Sequence, residues 1–345
     1  MIGHSRPTVS KSDGKILQKV LSSAQLCENG CVRGLERRLK EFVGTRFALA
    51  ANSGTSALHL ILLSLGLKRG DRVLIPSYVC SSLLNAIMYT GAQPIVCDID
   101  TDNYNLSFPA ARAKIHKKVK AIILPYMFGA SAEIDKFLEL GVPVVEDCAQ
   151  SLGGTYRGRR LGSFGAASLF SFYATKVITT GQGGMLLTDS PALFNKAKDL
   201  IEYDERNDYI VRYNYKMNDL QAALGLAQIK QLNRFIAKRR AIAQYYDKAF
   251  SRCGIAVSVN DPGHIYYRYV IRISSPLQQF AAGLKKKGIE AKPPVFMPLH
   301  RYLRLDRRLF PNTEEAYKRT LSLPIYPDLS GSQMKLVVKS VIEML

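Results

Sequence analysis

Two residues of this chain have the type and the setting for covalent amine chemistry. Lys176 lies in SFYATKVITTGQGGM (171–185), in a loop after an apolar run, and Asp147 ends the apolar run of VVEDCAQ (144–150), 29 residues earlier. A lysine amine condenses with an aldehyde to a Schiff base. A carboxylate beside a pyridine nitrogen keeps that nitrogen protonated, so the ring takes up the electrons of a carbanion, as pyridoxal 5′-phosphate chemistry requires. Taken singly, a lysine after a strand is a solvated charge and an aspartate after VVE is a cap or loop carboxylate. The two together, each at the end of an apolar strand, carry the reading.

A third segment completes a site. AANSGTSALHLILLSLGLKRG (50–70) has Leu58, Ile61, Leu62 and Leu65 at helical spacing, preceded by Ser53, Gly54 and Thr55. A Ser-Gly-Thr turn opening a helix directs free N–H groups and the helix dipole at one point, where an anion such as a phosphate binds. The same three residues also suit an ordinary N-cap. Positioning these parts takes an α/β layer. RVLIP (72–76), QPIVCDI (93–99), KAIILPY (120–126), PVVED (143–147), SLFSF (168–172) and GMLLTD (184–189) read as buried strands. Amphipathic stretches at 55–66, 79–90, 132–140 and 191–203 lie between several of them. That alternation predicts a mostly parallel sheet, whose sites form outside the carboxyl ends of its strands. A helical pattern over 218–250 leads into a second region with YYRYVIRI (266–273), a helix at 276–287 and a last helix at 332–345.

With these segments in order, the chain resembles the DegT/StrS (DegT/DnrJ) aminotransferases, a fold-type I pyridoxal phosphate family that mostly aminates nucleotide-linked keto sugars. NSGTSALHL, IPSYVCSSLLNAI (75–87), GAQPIVCDID (91–100), VVEDCAQSLGGTYRGRRLGSFG (144–165), SFYATKVITTGQGG and YNYKMNDLQAALGLAQI (213–229) carry the resemblance. It implies a large pyridoxal phosphate domain over 1–235 and a smaller C-terminal α/β domain over 236–345. It implies that Lys176 forms the Schiff base and Asp147 pairs with the pyridinium. Gln150 matches the position that hydrogen-bonds the cofactor's 3-oxygen, and Ala149 beside it counts with the cofactor-lining positions. Gly54, Thr55 and Ser171 match phosphate ligands. Asn214 matches an asparagine that reaches the phosphate from the neighbouring subunit, so a homodimer with shared sites is expected.

The chain departs from the family pattern at three places. Cys80 stands where an aromatic residue usually covers the cofactor ring, so either its sulfur stacks there or Tyr78 moves in. Gln182 replaces a usual glutamate, and FMPLHRYLRL (296–305) matches the substrate-side loop only loosely. The loop ATKVITTGQGG (174–184) resembles enzymes that aminate C4 of the sugar, whereas Gln150 resembles those that aminate C3. The resemblance therefore implies a glutamate-dependent aminotransferase acting on a 4-keto-6-deoxy hexose, with a 3-keto sugar or a cyclitol as alternatives. Related sugar dehydratases carry His where this chain has Lys176, and a regulatory homologue would have lost the lysine or the aspartate.

Composition agrees with an enzyme of ordinary globular character. The 345 residues are 47% hydrophobic and 22% charged, which suits a large core and two domains. The polar start MIGHSRPTVSKSDGK lacks a signal peptide's pattern, and no run of apolar residues is long enough to span a membrane. A cytoplasmic protein is expected. The six cysteines are scattered; CENGC (27–31) lacks the second pair that a zinc site needs, and Cys97 and Cys148 read as reduced core residues. The net charge of +20 comes from dispersed basic groups with no nucleic-acid motif and no tryptophan. It reads as a solvated surface or as attraction for an anionic nucleotide-sugar. Nucleic-acid binding remains the reading from another class.

Overall fold

The computed structural model describes every residue except 25, 28, 29, 254 and 256–260. Its strands are β1 (Phe47–Ala51), β2 (Arg72–Pro76), β3 (Gln93–Cys97), β4 (Val119–Pro125), β5 (Val144–Asp147), β6 (Thr155–Tyr156), β7 (Arg159–Arg160), β8 (Ala167–Ser171), β9 (Gly184–Thr188), β10 (Tyr269–Arg272) and β11 (Thr320–Leu323). Seven of them form one sheet in the order β1-β9-β8-β5-β4-β2-β3. The run from β3 to β8 is parallel, and β9 is antiparallel to both its neighbours. The carboxyl ends of β2, β5 and β8 thus lie on one edge and carry Pro76, Asp147 and Ser171.

These strands are apolar along their length because both faces are covered. Ile75, Ile123, Val145 and Leu169 belong to one core, and Leu74, Ile122, Val144 and Phe170 to the other, as the period of two requires. The helix Gly54–Ser64 is buried almost all round, from Ser56 to Leu62, and packs on β8 and β9. A third core lies around β10 and β11, built from Tyr269, Ile271, Leu321 and Leu323 with Val337 and Val341 of the last helix. The helix Leu232–Phe250 joins the cores: Phe235 and Ile236 pack in the second, Ile242, Tyr246 and Phe250 in the third. Ile2 also packs in the third core and bridges to Ile289.

All six predicted sheet strands are present, within two residues of their expected ends. The expected helix over 218–250 is two helices, Asp219–Ile229 and Leu232–Phe250. The break at Lys230 and Gln231 contains neither Gly nor Pro, so the apolar pattern reads straight through it. Strand β1 has no counterpart in the sequence reading, because FALAA is alanine-rich and its pairing with β9 overrides helix propensity. All six cysteines are free thiols, with Cys97 and Cys148 buried. CENGC falls partly outside the described residues. Among the described residues no group of three His, Cys, Asp or Glu could hold a metal, and no helix is long and apolar enough to cross a membrane.

One buried acid fixes the sheet edge that matters most. Glu146, fully buried on β5, accepts from Tyr126 Oη and from the N–H groups of Gly162, Phe164 and Gly165, each at 2.7 Å. Burial pushes its carboxyl above the usual range, and those donors oppose the shift. The turn 162–165 leads directly into β8. Glu146→Gln would set an amide NH₂ against N–H donors, at a cost of about 3 kcal/mol. Denaturant unfolding should show that loss of stability, and an unchanged midpoint would refute the role.

Candidate active site

A cavity of about 300 Å³ opens at the carboxyl edge of the sheet. Its wall includes Gly54, Thr55, Cys80, Asp147, Ala149, Gln150, Ser171 and Lys176, which four separate segments supply. One sequence candidate is not in the wall. Asn214 is exposed, its carbonyl accepting from Asn52 Nδ2 at 3.1 Å.

The anion cradle is built by close backbone approach. Ser53 caps the helix Gly54–Ser64, its Oγ accepting from Ser56 N–H at 3.0 Å. Both expected properties of the Ser-Gly-Thr turn therefore coexist: an N-cap, and free N–H groups at a cavity wall. A Cβ on Gly54 would lie 3.0 Å from Ser171 Cβ and 3.3 Å from its Oγ. Gly184 pairs with Ser171 in the β8–β9 ladder, and a Cβ there would overlap the Ser53 carbonyl and the Gly54 nitrogen. The last glycine of GQGG, Gly184, is thus required by the helix start seated on β9, a contact that sequence reading missed.

Asp147 is buried at the end of β5, and its Oδ1 accepts from Ala149 N–H at 2.9 Å. Burial raises its carboxyl above the usual range; the Ala149 N–H and the Lys176 ammonium act against the rise. A cationic ring nitrogen in the cavity would stabilise the carboxylate further. Gln150 is oriented from the other side. Its Oε1 accepts from Phe128 N–H at 2.9 Å, so its NH₂ remains as the donor available to the cavity. Phe128 holds a left-handed backbone (φ 61°) just before Gly129 (φ 95°), a turn with no recognisable signal in YMFGA. Lys176 sits in a turn closed by its N–H to the Tyr173 carbonyl at 2.9 Å, and its Nζ lies 5.1 Å from the Tyr267 ring centroid.

Of Cys80 and Tyr78, packing brings only Cys80 to the cavity wall. Tyr78 is fully buried, donates to the Ala316 carbonyl at 3.4 Å and packs on Tyr104 and Phe128. It does not reach the cavity wall; Cys80 does. Ser77 explains the direction. Its hydroxyl lies 2.6 Å from His300 Nδ1, while His300 Nε2 lies 2.9 Å from Glu314 Oε1. A carboxylate only accepts, so Nε2 carries the proton and Nδ1 accepts from Ser77. Arg301 clamps the same carboxylate through both oxygens, holding the Glu314 carboxyl down at about 2. The loosely matching segment 296–305 is therefore anchored to the end of β2 through a histidine.

A sheet of this topology, with an anion cradle facing a buried acid and a lysine at strand ends, defines a fold-type I pyridoxal-phosphate-dependent transferase. The chain belongs to the DegT/DnrJ/EryC1/StrS aminotransferase family, whose profile matches residues 7–342. It is a pyridoxal-phosphate-dependent aminotransferase. It is 32% identical to GDP-perosamine synthase of Escherichia coli O157:H7, over 98% of this chain and 97% of that one. It is 33% identical to the spore coat polysaccharide biosynthesis protein SpsC of Bacillus subtilis, over 98% and 95%. Among solved structures it is similar to S. venezuelae DesV, with a TM-score of 0.92 and 27% identity over 97% and 94%.

The cradle, the buried acid and the oriented amide fit the phosphate, ring nitrogen and 3-oxygen of the cofactor in chemical type. Gly54→Ala should weaken pyridoxal phosphate binding by roughly tenfold, about 1.4 kcal/mol, because the new methyl crowds Ser171. Equilibrium dialysis of the variant measures this, and undiminished affinity would exclude the cradle.

Proposed function

We propose that this enzyme moves the amino group of glutamate to C4 of a nucleotide-linked 4-keto-6-deoxy hexose. The observation that carries the amine chemistry is the meeting of Lys176 and Asp147 in one cavity wall. The C4 assignment rests on the loop ATKVITTGQGG (174–184) and is supported by the relatives named GDP-perosamine synthase, at 32% and 34% identity. Gln150 favours the second reading, a 3-keto sugar. The charge of +20 suits an anionic diphosphate substrate.

In this reading Gly54, Thr55 and Ser171 hold the phosphate, Asp147 the ring nitrogen and Gln150 the 3-oxygen. Bound pyridoxal phosphate supplies an aldehyde and an electron-accepting ring. Lys176 would hold the cofactor through its Nζ, and as a free amine it would serve as the base toward glutamate Cα. Gln150 is a neutral amide and cannot titrate, so it orients while Lys176 transfers protons. Residues 1–235 act as the cofactor domain and 236–345 as the small domain, in a cytoplasmic homodimer. The dimer is supported by the exposed apolar residues Tyr209, Ile210 and Val211 close to Asn214.

Incubation with a nucleotide-linked 4-keto-6-deoxy hexose, glutamate and cofactor should give an amine at C4 by NMR. Lys176→Ala should lose both the visible band of the loaded enzyme and turnover. An amine at C3, or turnover by the alanine variant, would reverse the assignment.

The shared site makes a separate demand. Asn214 would complete the partner's phosphate site, so hybrids of Lys176→Ala and Asn214→Ala subunits should regain activity that neither homodimer has. Full activity of monomers isolated by dilution would refute the sharing.

A further inference from the structure

The turn holding Lys176 meets a side chain from outside the seven-stranded sheet. Tyr267, two residues before β10, is 5% exposed. Lys176 Nζ lies 5.1 Å and the Arg268 guanidinium 5.3 Å from its ring centroid. Its hydroxyl lies near the side chain of Thr175, the residue before the lysine, which helps to stabilise the phenolate. Its carbonyl accepts from Nη1 of Arg239, a buried arginine that also donates to the carbonyls of Tyr266 and Ile325. Two cations therefore face the ring, and a third holds the carbonyl of the same residue. Among the described residues no carboxylate pairs with Arg239 or Arg268, and the ring nitrogens of buried His4 lie 3.1 and 3.3 Å from Arg268 Nη1. The acid nearest in function is Asp147, which interacts with Lys176 from the cavity side.

We propose that Tyr267 is a positioning residue for the Lys176 amine, its ring face carrying the ammonium. The inference rests on the reading of Lys176 as the reacting amine. A lysine displaced from the aldehyde has four flexible methylenes and would otherwise sample solvent. An ammonium seated on a buried aromatic face is held within reach of the atom to which it must return its proton. Burial alone would push the phenol's pKa up, but Lys176, Arg268 and Thr175 bring it down to about 8. Below that pH the phenol offers a neutral ring; above it the phenolate pairs with the ammonium.

Two variants and two readouts test this. Ultraviolet titration of the cofactor-free protein should reveal one tyrosine ionising near pH 8, absent from Tyr267→Phe and displaced upward in Lys176→Met. In the loaded enzyme, Tyr267→Leu should lower kcat roughly 30-fold with KM little changed, and Tyr267→Phe, which keeps the ring, should recover most of it. The pH midpoint of the visible band should move in Tyr267→Phe. An early ionisation that survives Tyr267→Phe or ignores Lys176→Met would overturn the proposal, as would full kcat in Tyr267→Leu. If wild type forms no Lys176-dependent band, the reading of Lys176 fails instead, and the cofactor-free titration still decides whether lysine and phenol are paired.

Discussion

Two consecutive acids at the end of one strand point in opposite directions, and the site depends on that alternation. Glu146 faces the core and Asp147 faces the cavity. The inward acid gathers Tyr126 and three backbone N–H groups of the turn that begins β8. Strand β8 then delivers Ser171 and, five residues later, Lys176. The separation of aspartate and lysine, on which their shared chemistry rests, is therefore set by a carboxylate that takes no part in it. A buried charge with this many donors is costly to place and more costly to leave half satisfied, which fixes the strand register firmly.

A second constraint is backbone proximity. The helix start at Ser53 and Gly54 rests on β9 at Gly184 and beside Ser171 on β8. Side chains at either glycine would lift the helix from the sheet and move its free N–H groups from the cavity. Dipole, cap and hydroxyl donor converge only because two positions lack a Cβ. The antiparallel direction of β9 belongs to the same arrangement. It lets the chain leave Lys176, turn at 181–183 and return beside Ser171 within one short loop.

Much of this was legible in the sequence because buried parallel strands read as uninterrupted apolar runs, and functional residues sit where those runs end. Asp147, Ser171 and Lys176 follow that rule. Strand β1 escaped it because FALAA has the composition of a helix, and only pairing with β9 makes it a strand. The break at 230–231 escaped because nothing in the local sequence interrupts helical periodicity. Tyr267 and His300 were unreadable for a deeper reason. Each acts across more than 90 residues of chain, Tyr267 on Lys176 and His300 on Ser77, and neither carries a local pattern. Gln150 was named as a candidate, but its orientation is set by Phe128 N–H, a donor made available by an irregular turn.

The replacement of a ring-covering aromatic by Cys80 gains meaning from what lies beneath it. Ser77, locked by His300, fixes the chain as it leaves β2. Tyr78 then enters the core, where burial raises its phenol pKa and the ring packs against Tyr104 and Phe128. Rotating Tyr78 outward would empty a core position, at a cost of about 3–5 kcal/mol by analogy with large aromatic truncations. The residue that β2 delivers to the cavity wall is consequently a thiol, which is smaller and more polarisable than an aromatic face. The same Ser77–His300–Glu314–Arg301 chain anchors the segment 296–305 to the chain just after β2. Wall and anchored segment thus form one mechanical unit. Two of the three departures from the family pattern, Cys80 and residues 296–305, are linked through the buried His300 and its bond to Ser77.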